Sequence, residues 1–382
     1  MLFLFFLTGC RDILSAPGRS RWACPNDHSI PALSAPGSQG LNFLFSAESN
    51  WRSVLSSVDV FQFYLASLFD DLHTDQGFDF KRVNDDETIR KAVRTLNEHK
   101  IAIAVEGGAL FGFDAGGDFE GETAAQLELV FMNRIYEAGG TVSFLSMDDP
   151  IDRLHNPCRK MLHTICGFDL ETAIREIVDY MKTIHAQRPE IKIGMIFNFA
   201  ARIYGGVSGY PGFEGNDIDY KTALVELVKA VDKAGEKLYF VHADSPFDFT
   251  TGIVQTDAWR SISSSDAINY PSKIDWTARI LELERQVESY GLAFGLIYSS
   301  QRGGEETSGS DRLFHDDVLA YLSLYAKRGG SPKNYIIQSW YKRPCALGPE
   351  TRPYSFTYLL NEIFNLILRS TRLKENERMR SK

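Results

Sequence analysis

Residues 141–198 decide the fold. Thr141–Asp148 reads TVSFLSMD, Ile191–Asn198 reads IKIGMIFN, and Leu170–Gln187 (LETAIREIVDYMKTIHAQ) stands between them. The two short runs are nearly continuous in apolar residues, as strands covered on both faces are, and each ends on a polar residue. The stretch between them carries apolar residues at helical spacing. Strand, helix, strand at this length is the signature of a parallel pair joined by a crossover.

The pattern repeats outward in both directions. Strands are expected at Asn42–Ser46, Val58–Tyr64, Ile101–Glu106, Leu238–Asp244, Leu292–Ser299 and Tyr335–Trp340. Helical stretches at Asp86–His99, Thr123–Ala138, Tyr220–Ala234, Ile274–Tyr290 and Arg312–Lys327 separate them. Glycine pairs such as Gly139-Gly140 and Gly329-Gly330 close the helices. Eight units predict an α/β (β/α)8 barrel over residues 41–370, completed by a helix at Phe356–Ser370. An open doubly wound sheet is the alternative, but no glycine-rich phosphate loop follows the first strand.

The ends of the chain read differently. Met1–Gly9 (MLFLFFLTG) is almost wholly apolar and runs into Cys10. Leu7-Thr8-Gly9-Cys10 resembles a bacterial lipobox, so residues 1–10 are expected to be a lipoprotein-type signal with Cys10 as the lipidated residue. The run is too short to span a bilayer. Residues 11–40, rich in Ser, Pro and Gly, are expected to be a flexible linker, and 371–382 a charged tail. These features imply a cell-envelope protein, lipid-anchored and facing the periplasm or exterior. Export permits disulfides, and Cys158 with Cys166 would close a short loop.

The composition narrows the partners. Asp and Glu outnumber Lys and Arg by 50 to 41, for a net charge of -9, which argues against a nucleic-acid binder. With 26 Phe, 16 Tyr and 5 Trp in 382 residues, the chain holds enough rings for a large core or a stacking cleft. The cysteines and histidines show no zinc spacing, and no cofactor is expected.

In a barrel of this kind chemistry sits where the strands end. Those ends supply Glu48 and Asn50, Gln62 and Tyr64, Glu106, Asp148 and Asp149, Asn198, His242 and Asp244, Tyr298, then Gln338 and Trp340. Alternation puts Phe240, His242 and Asp244 on one face, Ala102 and Ala104 with Glu106, Gly194 with Asn198, and Ser146 with Asp148. Asp149 points to the neighbouring position. Glu106, Asp148 and Asp244, with Asp149 beside them, are the candidate catalytic acids. Convergent carboxylates suit general acid–base chemistry, one group protonating a leaving oxygen while another acts as base or nucleophile. Tyr64, Gln62, Asn198, His242, Tyr298, Gln338 and Trp340 are the candidate substrate-binding residues. Rings with amide and carboxylate edges suit a sugar cleft. Further rings stand in the loops at Tyr204, Tyr210, Phe247 and Phe249, beside Arg202.

Three segments together carry a resemblance: Ser146-Met147-Asp148-Asp149-Pro150, Gln338-Ser339-Trp340-Tyr341-Lys342-Arg343-Pro344, and Pro349–Thr357 (PETRPYSFT). Over residues 41–370 the chain resembles a group of poorly characterised bacterial proteins described as glycoside-hydrolase-like (β/α)8-barrel lipoproteins. In that group the fourth-strand motif more often reads Asp-Glu-Pro, so Asp149 stands where a longer acid is usual. The large retaining-glycosidase clan carries Asn-Glu at the fourth strand and Glu at the seventh. Here the seventh ends Tyr298-Ser299-Ser300, with Glu305 and Glu306 further out. The resemblance implies a carbohydrate-active hydrolase acting on an oligo- or polysaccharide. Two other functions fit the same residues: a metal-dependent barrel enzyme with His242 as nitrogen ligand beside Glu106, Asp148 and Asp244, and a glycan-binding lipoprotein without catalysis.

Overall fold

The structure, a computed structural model, describes residues 19–34, 37–74, 79–108, 120–155, 168–198, 219–253 and 275–380. Cys10, the Cys158–Cys166 pair, Arg202, Tyr204 and Tyr210 lie outside the described residues. Eight parallel strands close into a barrel. They are β1 Ser20–Cys24, β2 Val60–Tyr64, β3 Ala102–Gly107, β4 Val142–Asp148, β5 Lys192–Asn198, β6 Phe240–Asp244, β7 Ala293–Tyr298 and β8 Asn334–Gln338. The (β/α)8 barrel expected from the sequence is the fold.

Local sequence fixes the surrounding helices. Asp85, Asp169, Asp275 and Ser310 each stand just before a helix and accept a backbone N–H from its first turn, at Thr88, Thr172, Ala278 and Leu313. These caps satisfy donors that the helix cannot. Each helix then turns its apolar stripe to the sheet. In Asp86–Glu98 that stripe is Ile89, Ala92, Val93 and Leu96, all buried. Gly139 and Gly329 adopt φ of 84° and 92° just past the ends of their helices, a conformation that favours glycine.

The beginning of the barrel is not where the sequence pattern put it. Asn42–Ser46, expected as the first strand, is helical over Leu41–Leu44. Leu41 and Leu44 are its buried residues, a spacing of three that fits a helix turn and not a strand. The first strand is Ser20–Cys24, inside the stretch expected to be a linker. It pairs with β8 from Ser20 beside Asn334 to Cys24 beside Gln338, and with β2 at Trp22 and Ala23. Five residues among Ser, Pro and Gly give almost no periodic signal, yet this strand closes the ring. The barrel therefore takes in Ser20–Cys24, so its boundary at residue 41 is corrected. Glu48 and Asn50 move with it: they belong to a short 3₁₀ turn, and Glu48 lies 3.8 Å from His99. His99 caps the C-terminal end of helix Asp86–Glu98, at the opposite end of the barrel from the candidate site.

Inside the barrel the alternation holds as read. Trp22, Phe144 and Phe240 meet near the axis, with ring centroids 5.2–6.1 Å apart. His242 stacks on Phe240 at 4.5 Å. Two glycines make room for these rings: a Cβ on Gly194 would lie 2.2 Å from Phe240, and one on Gly295 2.4 Å from His242. This layer plugs the lower barrel, and the strands then rise past it to a polar mouth.

Candidate active site

Four consecutive strands carry the acidic side of the mouth. Glu106 ends the inward row of β3, Asp148 that of β4, Asn198 that of β5 and Asp244 that of β6. Asn198 and Asp244 are register partners, and all four residues are partly exposed. The opposite wall is Cys24, Gln62, Tyr64 and Gln338, from β1, β2 and β8, all buried. Glu106, Asp148, Asp244, Asn198, Gln62, Tyr64 and Gln338 are thus brought to one place, as alternation predicted.

The three carboxyls are held in different ways. Asp148 accepts the amide of Asn198 at 3.1 Å and forms a salt bridge with Arg153, whose Nε also donates to the Asp148 carbonyl at 2.8 Å. Glu106 receives two amide donors on one oxygen, Oε2: Gln62 at 2.8 Å and Gln338 at 2.9 Å. Burial pushes its pKa well above the carboxylate range, and the charges of Asp148 and Asp244 push it the same way. Gln62 cannot turn round, because its carbonyl accepts Ser146 Oγ at 3.1 Å while its amide also reaches Cys24 Sγ at 3.4 Å. Asp244 Oδ1 is buried without a hydrogen-bond partner. Burial, followed by the Asp148 charge, raises Asp244 to about 7.

Arg153 and Cys24 are the residues that sequence reasoning missed. Arg153 reaches Asp148 because the chain turns sharply at Asp149, which sits at φ 50° before the helix Pro150–His155. Proline at the first position of a helix was the available signal for that turn. Cys24 went unnoticed along with the strand that carries it.

Several expected site residues lie elsewhere. Asp149 is fully buried, so it does not line the open mouth with Asp148; the turn that aims Arg153 carries it away. Tyr298 belongs to the outward row of β7, since Ile297 faces inward, and its ring packs on Tyr321 at 5.3 Å and Tyr335 at 6.0 Å. His242 faces inward but one layer below the acids, fully buried. Its Nε2 lies 3.1 Å from the Asn334 amide, and burial lowers its pKa to about 3. Neither residue can touch a ligand held at the mouth. Phe247 and Phe249 pack into the outer core. Trp340 stays at the rim, 48% exposed, edge-on to Tyr64 at 4.6 Å. The Tyr64 hydroxyl donates to the Ser339 carbonyl at 2.6 Å, which fixes the ring under the indole.

Among the described residues, no group of three or more His, Cys, Asp or Glu side chains is placed to hold a metal ion. With His242 below the acids, the nitrogen ligand of the metal-dependent alternative is also out of position. No helix of the described residues is long and apolar enough to cross a membrane.

No family model matches the sequence, and no curated protein matches it. Solved structures do resemble the fold. A glucosidase from Croceicoccus marinus is 12% identical with a TM-score of 0.48, covering 93% of this chain and 69% of that one. The virulence factor SghA from Agrobacterium tumefaciens is 11% identical with a TM-score of 0.45, covering 94% and 98%. A deoxyribose phosphate aldolase from Aeropyrum pernix is 11% identical with a TM-score of 0.42, covering 94% and 97%. These are likenesses of overall shape, and the chemistry has to be read from the side chains of this chain.

Proposed function

We propose that the protein is a carbohydrate-active hydrolase of the glycoside-hydrolase type, with Asp148 as the charged carboxylate and Asp244 as the general acid. The observation that carries this reading is the unequal holding of two acids that sit two strands apart. Asp148 is paired with Arg153 and accepts the amide of Asn198, whereas Asp244 Oδ1 has no partner and its pKa is raised to about 7. An acid raised in this way, two strands from a carboxyl held by a guanidinium and an amide, suits an acid–base pair. Asp148 would serve as nucleophile or as the base that activates water, and Asp244 would protonate the leaving oxygen. Glu106, braced by two amides, would hold the sugar or share the proton with Asp244. Trp340 would offer its exposed face to a sugar ring.

The test is an assay of the purified chain on a panel of oligosaccharides, with new reducing ends as the readout. Turnover that disappears in both Asp148→Asn and Asp244→Asn, with folding intact, supports the assignment. Binding without turnover in the parent chain would favour the glycan-binding alternative, and activity lost on chelation and regained with added metal would favour the metal-dependent one.

Anchoring to the cell envelope through Cys10 belongs to the same proposal, supported by the resemblance of residues 7–10 to a lipobox. Expression in a bacterial host with a labelled fatty acid should mark the parent chain and leave Cys10→Ser unmarked. Equal labelling of the two would remove the anchor from the proposal.

A further inference from the structure

Among the described residues, the buried side-chain atoms at the mouth that lack a hydrogen-bond partner are acceptors. The amides of Gln338 and Gln62 each donate to Glu106, and the amide of Asn198 donates to Asp148. The guanidinium of Arg153 is paired with Asp148, and the hydroxyl of Tyr64 donates to a backbone carbonyl. The next cations along the chain from Trp340, Lys342 and Arg343, are paired with Glu306 and Asp311. What remains without a partner is a set of acceptors: Gln338 Oε1, Asn198 Oδ1 and Asp244 Oδ1. Gln338 is 4% exposed and stands on the inward face of β8, where an unsatisfied carbonyl is costly.

A phosphate or carboxylate would bring further lone pairs to these acceptors and would meet three carboxyls. A ligand that supplies several N–H donors and a positive charge completes the acceptors and lies favourably beside the carboxylate of Asp148. A bare metal ion does not fit, because hard cations need oxygens within about 2.0–2.6 Å and no such set exists among the described residues. An ammonium group bonds at about 2.7–2.9 Å and accepts a looser arrangement. The exposed indole of Trp340 beside the acids adds a face that attracts cations as well as sugar rings.

We propose that the mouth is built for a sugar bearing a protonated amine, so that the substrate class is a cationic, de-N-acetylated amino-sugar oligomer. This rests on the glycosidase reading above for its sugar component and on the unpartnered acceptors for its amine.

Calorimetric titration of the full chain with glucosamine oligomers, their N-acetylated counterparts and neutral glucose oligomers of the same length tests it. The cationic series should bind at least about tenfold tighter than the other two at low salt. Raising the salt to about 0.5 M should remove most of that advantage, since it screens the charge term. Asp244→Asn, which keeps the size of the side chain, should reduce the preference, and Gln338→Met should do so without changing charge. Equal or tighter binding of the N-acetylated or neutral series would overturn the proposal, as would failure of all three to bind. The two readings fail separately. Cleavage of neutral oligomers with no cationic preference would sink the amine and leave the hydrolase, whereas tight cationic binding with no cleavage would do the reverse.

Discussion

The lower and upper halves of the barrel interior are built on the same eight strands, yet they treat buried polarity in opposite ways. In the lower half Trp22, Phe144 and Phe240 fill the axis, and the one titratable ring among them, His242, is kept neutral by burial. In the upper half, two residues further along β6, Asp244 is left without a partner beside the charge of Asp148. The plug removes its electrostatic cost, whereas the mouth keeps its cost. A cost kept on one side of a well-packed scaffold is the mark of a site whose missing partner is a ligand.

The two halves should therefore respond to pH with opposite sign, and this is the largest expected effect. His242 has its folded pKa lowered to about 3 from 6.5, so the unfolded chain binds the extra proton between those values. Stability from this group is full above pH 6.5 and falls on acidification, by at most about 5 kcal/mol near pH 3. Asp244 has its folded pKa raised to about 7 from 3.8, so here the folded chain binds the extra proton. Stability from this group is full below about pH 4 and falls as pH rises through 7, by at most about 4 kcal/mol. Urea denaturation from pH 3 to 9 reads both. His242→Phe should flatten the acid side, and Asp244→Asn the neutral-to-alkaline side. A flat profile in the parent chain would mean that the two environments are alike.

Activity should break in the mouth alone. Asp148→Asn is expected to lower kcat by about 10³-fold, in the range for loss of a positioned acid–base group, with circular dichroism unchanged. In the parent chain, kcat should fall on the alkaline side with a midpoint near 7, as Asp244 loses its proton. An alkaline limb that persists unmoved in Glu106→Gln would assign that proton to Asp244, whereas one that vanishes would transfer the role to Glu106.

Stability should break in the plug. A Cβ on Gly194 falls 2.2 Å from the Phe240 ring, so Gly194→Ala forces that ring to move within a packed layer. The expected cost is about 1–3 kcal/mol in thermal or chemical denaturation. The activity of the molecules that remain folded should stay within about twofold of the parent. A large loss of kcat in the folded fraction would show that the plug and the mouth are coupled through β5.

How much of this was legible in sequence follows from the length of the signal that each part carries. Strands such as Leu238–Asp244 and Ile191–Asn198 are long, apolar and flanked by capped helices, so both the barrel and the inward parity of Glu106, Asp148, Asn198 and Asp244 could be read directly. The strand at Ser20–Cys24 is short and set among turn-forming residues, and its stability comes from pairing with residues more than 300 positions away. Nothing local could reveal it. Tyr298 ends its strand on the outward face, one residue of parity from the mouth, and position at a strand end does not reveal that face. Arg153 escaped because its role depends on the backbone reversal at Asp149, which is a property of conformation and not of spacing.

Trp340 provides the smallest effect and the sharpest boundary between the two halves. Its indole is 48% exposed and touches Tyr64 edge-on, whereas Trp22 and Phe240 in the plug are 1% and 2% exposed. Removing a ring that is half in water costs little burial, so Trp340→Ala should change the melting temperature by about 2 °C or less. The same change removes a stacking face at the rim of the mouth, and should raise KM about tenfold while leaving kcat within about threefold of the parent. A melting temperature that drops steeply with KM unchanged would make Trp340 one more packing ring. An increase in KM confined to cationic oligomers would tie the indole to the ammonium group, whereas an equal increase for all sugars would tie it to the sugar ring.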